Sequence, residues 1–150
     1  MKTETVIFGG GCFWCTEAVF LKLKGVNSIV SGYAGGDLEN PNYYEVSAGN
    51  TQHAEVIKIV FDLKIIAFKD LLAVFFAVHN PTSTNRQGND VGTQYRSVIM
   101  YSTEKQKKES EEAIKKINDS KQFDSSVVTE ILPLGKFFAA EEYHQNYYQK

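Results

Sequence analysis

The chain has 150 residues, 43% hydrophobic and 23% charged, with a formal charge of -2 and two cysteines. That is the composition of one ordinary globular domain spanning 1–150, long enough to bury a core without disulfide staples. No basic excess points to nucleic acid, no apolar run is long enough for a bilayer, and two cysteines are too few for a disulfide scaffold.

The first segment, Thr5 to Phe8, is β-branched and aromatic and ends in Gly9-Gly10-Gly11. It reads as a short buried strand and a tight turn. It lacks the long apolar region of a secretory signal, so a cytoplasmic location is expected. From Cys12 the pattern becomes helical, with Trp14, Ala18 and Leu21 on one face, Lys22 and Lys24 in the last turn, and Gly25 as the stop. Val26 to Tyr33 reads as a second strand, ended by Ala34-Gly35-Gly36. Residues 37–53 are polar and rich in Gly, Asn and Tyr, and read as a long irregular segment with at most short strand pieces. Long loops in compact domains tend to carry function.

Ala54 to Asp62 alternates as a half-buried strand does. Glu55 shares a face with Ile57, Ile59 and Phe61, so partial desolvation of its carboxyl is expected. Phe68, Leu71, Leu72, Phe75 and Phe76 fall at helical spacing, and the helix should stop near Asn80-Pro81. Residues 80–96 form a second polar loop. Ser97 to Tyr101 is a strand, and Thr103 with Gln106 can form a capping box opening a charged helix to about Asn118. Val127 to Leu132 is a strand before Pro133, and Ala139 to Tyr148 reads as a short helix or as irregular chain. Alternating strands and helices give an α/β or α+β class.

The two thiols carry the chemistry. Cys12 should sit in the first turn of a helix, where unpaired N–H groups and the macrodipole favour an anion and depress a thiol pKa. Cys15, three residues on, shares its face at a spacing that allows a disulfide. The bland alternative is two buried, inert core cysteines. A zinc site would need four ligands, and there is no second cysteine pair. His79 continues the Phe68 face and reads as structural, while His53 and His144 sit among polar residues and read as hydrogen-bonding. Tyr43, Tyr44 and Tyr95 stand in loops, as packing lids or as hydroxyl donors to a polar ligand. The residues alone describe a thiol-dependent oxidoreductase whose substrate rests an apolar part on Phe13 and Trp14.

Five short motifs then occur in order: G-C-F-W at 11–14, N-P-N-Y at 40–43, H-A-E at 53–55, G-N-D-V-G-T-Q-Y-R-S at 88–97 and E-E-Y-H-Q at 141–145. Together they resemble the peptide methionine sulfoxide reductase A family. The resemblance implies an α+β fold, a two-layer sandwich with a ferredoxin-like core and long surface coils. It implies reduction of the S epimer of methionine sulfoxide, free or in proteins, by a monomer without a cofactor or metal. Cys12 would be the nucleophile, Phe13 and Trp14 the methyl-binding floor, and Glu55 the proton donor to oxygen. Tyr43, Tyr95 and Asp90 would bind and polarise that oxygen. Thioredoxin or another dithiol would reset the enzyme.

Three positions depart from the common family pattern. The recycling cysteines that many members carry near the C-terminus are missing, which leaves Cys15, where Gly is common, as the candidate resolving thiol. The alternative is direct attack of an external thiol on oxidised Cys12. Asn80 stands where Asp is frequent, and Gln52 where Gly often precedes the His; both should matter little to the chemistry. A general thiol–disulfide oxidoreductase would need neither Glu55 nor the tyrosines, and a binding module for methionine sulfoxide or a metal would leave the thiols inert.

Overall fold

The computed structural model describes residues 2–36, 41–48, 51, 53–88 and 90–141. In chain order the elements are β1 (Thr3–Gly9), α1 (Phe13–Phe20), β2 (Val26–Ala34), α2 (Tyr43–Ser47), β3 (Ala54–Asp62), α3 (Phe68–Val78), β4 (Arg86–Gln87), β5 (Asp90–Val91), β6 (Val98–Tyr101), α4 (Glu104–Ser120), β7 (Glu130–Pro133) and β8 (Phe137–Ala139), with a 3-10 turn at Thr93–Tyr95.

Six strands form one sheet in the order β7-β6-β1-β3-β2-β8. The inner four pair antiparallel throughout, β1 with β3 and β6, and β3 with β2. With α1 between β1 and β2, and α3 between β3 and β6, this is the ferredoxin-like arrangement of an α+β fold. α4 then carries the chain to β7, which pairs parallel to β6, as a crossover connection allows. β8 returns to the opposite edge and pairs antiparallel with β2.

Alternation along β1 divides the core. Val6 and Phe8 face the helices with Ile57, Ile59 and Phe61 of β3, Phe20 of α1, and Phe68, Leu71 and Phe75 of α3. The Phe8 and Phe75 rings stack with centroids 4.5 Å apart. Ile7 points to the other face, with Val56, Val98 and Met100. β3 is therefore central rather than half-buried: Ala54 to Ile57 are all sealed, because both faces of the sheet are covered there.

Several elements differ from the sequence expectation. α1 buries Phe13, Thr16, Glu17 and Phe20, not Trp14, Ala18 and Leu21. Its eight residues are mostly apolar and carry no clear period. The face is chosen by the sheet, where Ser31 donates a hydrogen bond to Glu17 at 3.1 Å. α1 also ends at Phe20, so Lys22 and Lys24 lie in the turn beyond it. Gly25, at φ 100°, faces Ile66 so closely that a Cβ would lie 2.7 Å from its side chain. The first polar segment contains α2, because Asn42 and Glu45 form a reciprocal capping box. The second polar loop is stitched: Gln87 accepts from the Asn80 N–H and donates to the Asn80 carbonyl, at 2.8 and 2.7 Å. Thr103 caps α4, but Gln106 reaches back to the Ser102 N–H instead of closing the box. Ala139 ends strand β8, and Glu142 to Tyr148 lie outside the described residues. No helix among the described residues is long and apolar enough to cross a membrane.

Candidate active site

The glycine turn between β1 and α1 sets the site. Gly9 lies against Val56 and Val98, and a Cβ on Gly10 would lie 2.8 Å from the His79 ring. Gly11 adopts φ 93°, a left-handed conformation that favours glycine, and its N–H donates to the Tyr95 carbonyl at 3.2 Å. That bond ties the 3-10 turn carrying Tyr95 to the turn that presents Cys12.

Cys12 is the N-cap of α1, one residue before the first turn where the sequence reading puts it. The backbone N–H groups of Trp14 and Cys15 lower its thiol pKa, as a helix N-terminus should, although the side chain makes no capping hydrogen bond. The thiol pKa is nevertheless raised, to about 12, not depressed. Burial is the largest cause, and the nearby Glu55 and Cys15 add to it. Desolvation outweighs the helix terminus here because the sulfur is held among buried groups. At rest Cys12 is a thiol.

Glu55 enters from β3, opposite Tyr33 of β2 in the sheet register. It is 1% exposed, and its Oε1 accepts the Phe13 N–H at 3.3 Å. Its Oε2 is buried with no hydrogen-bond partner among the described residues. Burial pushes its pKa up to about 7, with the Phe13 N–H opposing and Asp90 adding. A carboxyl so placed keeps a proton near neutrality. Tyr95, half-buried, has its phenol pKa raised by burial and then by Glu55, Tyr43, Asp90 and Cys12. Those couplings place the groups named for the sulfoxide oxygen in one electrostatic cluster around the sulfur. Asp90 itself is exposed, at the start of β5.

The aromatic layer is built by α1 and α2. Trp14 and Tyr43 stack with centroids 6.0 Å apart and planes 17° apart. Phe13 lies 5.7 Å from Tyr33 and 6.5 Å from Tyr43. At 1% exposure Phe13 is the layer beneath, while Trp14 and Tyr43 are half-buried and present their rings. Tyr44, its neighbour in α2, is 79% exposed and meets the Tyr43 ring edge-on with centroids 6.3 Å apart.

Both thiols line a cavity of about 180 Å³ with Val19, Val78, His79 and Asp90. Cys15 is exposed there, and the two cysteines are unbridged. A larger cavity of about 400 Å³ runs between α3 and α4 and has no thiol in its lining; the smaller one has both, while Glu55, Trp14, Tyr43 and Tyr95 lie outside its wall.

His79 has the structural role its position suggests. Its Nδ1 donates to the Phe75 carbonyl at 2.6 Å, which leaves Nε2 to accept from Ser97 at 2.7 Å. Burial lowers its pKa to about 4. His53 is sealed, and its Nδ1 accepts the Gly36 N–H at 3.0 Å. Asn80 accepts twice at Oδ1, from Thr82 N–H and Oγ1, work that an aspartate oxygen also does. Gln52, Asn89 and His144 lie outside the described residues. Sequence reasoning gave no role to Gln87, Tyr33 or Glu141, all of which brace the site; the E-E-Y-H-Q motif that contains Glu141 was the signal.

A family model for peptide methionine sulfoxide reductase matches residues 4–150. The peptide methionine sulfoxide reductase MsrA of Acinetobacter baumannii (strain AYE) is 54% identical over 147 residues, covering 98% of this chain and 83% of its own. Methionine sulfoxide reductase A of Corynebacterium diphtheriae matches with TM-score 0.87 at 36% identity, over 98% of this chain and 74% of that one. Reduced Mxr1 of Saccharomyces cerevisiae matches with TM-score 0.92 at 32% identity, over 99% and 85%. A thiol, a buried carboxyl with a raised pKa and an aromatic surface on this fold accord with that kinship, and the chain belongs to the peptide methionine sulfoxide reductase family, oxidoreductases that act on methionine sulfoxide.

Proposed function

We propose that the protein reduces the S epimer of methionine sulfoxide, free or in damaged proteins, with Cys12 as nucleophile and Glu55 as acid. The buried carboxyl of Glu55, its pKa raised to about 7, its Oε2 without a hydrogen-bond partner among the described residues and its charge felt by the Cys12 thiol, is the observation that supports this reading best. A sulfoxide is a polar S–O on an apolar thioether. Its methyl rests on Trp14 and Tyr43 with Phe13 beneath them, where sulfur and methyl contacts with rings add modest stabilisation. Its oxygen lies toward Glu55, Tyr95, Tyr43 and Asp90.

Attack of the Cys12 sulfur on the sulfoxide sulfur builds negative charge on oxygen. Glu55 donates its proton there and recovers one from the Cys12 thiol. The substrate S–O bond breaks as the oxygen passes to the Cys12 sulfur, the transient S–S bond between Cys12 and substrate breaks, and the thioether leaves as methionine with Cys12 left as a sulfenic acid. Cysteine is oxidised and methionine sulfoxide reduced, with no net proton change. Starting from two neutral groups suits a dry site, because no unpaired ion has to be buried at rest.

Cys15 then attacks the Cys12 sulfenic sulfur, the S–S bond forms and the oxygen departs as water. An external dithiol resets the pair. Mxr1 of yeast has been solved in complex with Trx2, and thioredoxin is the reductant we assign to this chain, acting on a monomer in the cytoplasm. The biological role is repair of oxidised proteins under oxidative stress. Incubation with racemic N-acetylmethionine sulfoxide and dithiothreitol tests the reading. Consumption of the S epimer alone, lost in Cys12→Ser, supports it, and consumption of neither epimer refutes it.

A further inference from the structure

The edge strand β8 has no catalytic side chain, yet it sets the place of a carboxylate beside the aromatic layer. Its register on β2 pairs Phe138 with Tyr33, and Ala140 N–H extends the ladder to the Ser31 carbonyl at 2.8 Å. The next residue, Glu141, is thereby held beside both aromatic supports. Its Oε1 accepts from the Tyr33 hydroxyl at 3.1 Å, and its Oε2 accepts the Tyr43 N–H at 3.2 Å. Tyr33 is fully buried behind Phe13, and Tyr43 stacks on Trp14. One carboxylate therefore fastens the ring below the aromatic layer to the residue that forms its upper edge.

We propose that Glu141 is a positioning residue, which fixes Tyr43 over Trp14 and so sets how tightly the sulfoxide methyl is held. The inference rests on the reading of Trp14 and Tyr43 as the methyl-binding surface. Glu141 acts through α2. That helix has only five residues, too short to hold its place alone. Among the described residues its anchors include its own capping box, Val46 in the core, Tyr43 against Phe13 and Trp14, and this carboxylate. Cys12 and Glu55 are held independently, by the glycine turn and the Phe13 N–H. Loss of Glu141 should therefore weaken substrate binding more than it slows chemistry.

The test is steady-state reduction of S-epimer substrate, with fluorescence of Trp14, the only tryptophan in the chain. Glu141→Ala should raise KM about tenfold, the worth of one charge-assisted hydrogen bond, and lower kcat by a smaller factor, because Tyr43 also faces the sulfoxide oxygen. Its Trp14 emission should shift to the red and become easier to quench with acrylamide. Glu141→Gln should restore KM to within about twofold, because the amide oxygen accepts from Tyr43 N–H while the NH2 donates to the Tyr33 oxygen. If Glu141→Ala fails to fold, Tyr33→Phe removes one partner, keeps the ring, and should raise KM in the same direction. Wild-type KM and emission in Glu141→Ala, or in Tyr33→Phe if that variant must serve, overturn the inference, as does an equal KM rise for Ala and Gln. These results leave the proposed reaction standing. Failure of the wild type to reduce either epimer overturns the reaction instead, and the Trp14 emission comparison then still decides the positioning role.

Discussion

Replacing Glu55 by Gln should abolish most activity and yet stabilise the protein at alkaline pH. The wild-type carboxyl ionises at about 7 in the native state, against 4.5 for the unperturbed group. Below the lower value both folded and unfolded chains hold the proton, and this group adds no pH dependence. Between them the unfolded chain releases its proton while the native state keeps it, so wild-type stability falls as pH rises. The loss is complete above the folded value. At about 1.4 kcal/mol per pH unit the gap corresponds to about 3 kcal/mol, and a 1% exposed side chain needs no discount for solvent screening. Gln has no such titration. The difference in unfolding free energy, Gln minus wild type, should therefore climb by about 3 kcal/mol between about pH 4 and pH 8. A constant offset is expected from the amide NH2 at the unpartnered Oε2 position, but it does not move with pH. Urea unfolding across that range measures the difference, and the opposing titration of His79 cancels because both proteins share it. Activity should fall by about 10²–10⁴, the usual worth of a positioned acid. A difference curve that stays flat or falls with pH would refute the assignment of a raised Glu55.

The rate of the first half-reaction should decline as pH rises above about 7, because the protonated Glu55 is consumed before the Cys12 thiol, at about 12, begins to ionise; stopped-flow Trp14 signals in single turnover measure it, and a rate that climbs with pH, as in simple thiol–disulfide exchange, would contradict it. Substituting Gly11→Ala should cost about 1 kcal/mol or more for its positive φ and reduce activity further than stability, by tilting Cys12; equal turnover would show that the turn does not aim the sulfur. His79, with its pKa lowered to about 4 by burial, contributes stability that is present above its unfolded value near 6.5 and lost as pH falls through 4. A His79→Gln variant should flatten the acid limb of the stability curve in urea titrations, and an unchanged limb would reject that role.

The inner sheet and α3 were legible because their residues repeat at clean strand and helix periods. Glu55 on an apolar face of Ala54–Asp62 announced its own desolvation. The errors have local causes. α1 has eight mostly apolar residues, so any face could have been the buried one, and only the sheet beneath chose Phe13 and Phe20. α2 was hidden inside a polar segment, although Asn42 and Glu45 spelled its cap. β8 has three residues and gains its identity from pairing with Gly32 to Ala34, which no local pattern encodes. The Cys12 pKa was misjudged for a related reason. A helix start is visible in sequence, but burial around the sulfur is a tertiary property, and here it has the larger effect.

The most direct test follows the oxygen atom. Cys15→Ser protein, mixed with one equivalent of S-epimer substrate and no reductant, should release one equivalent of methionine and gain one oxygen, trapped by dimedone on Cys12. Wild-type protein treated alike should instead lose two hydrogens as the Cys12–Cys15 disulfide forms. Methionine release without oxidation of Cys12, or no release at all, would contradict the account.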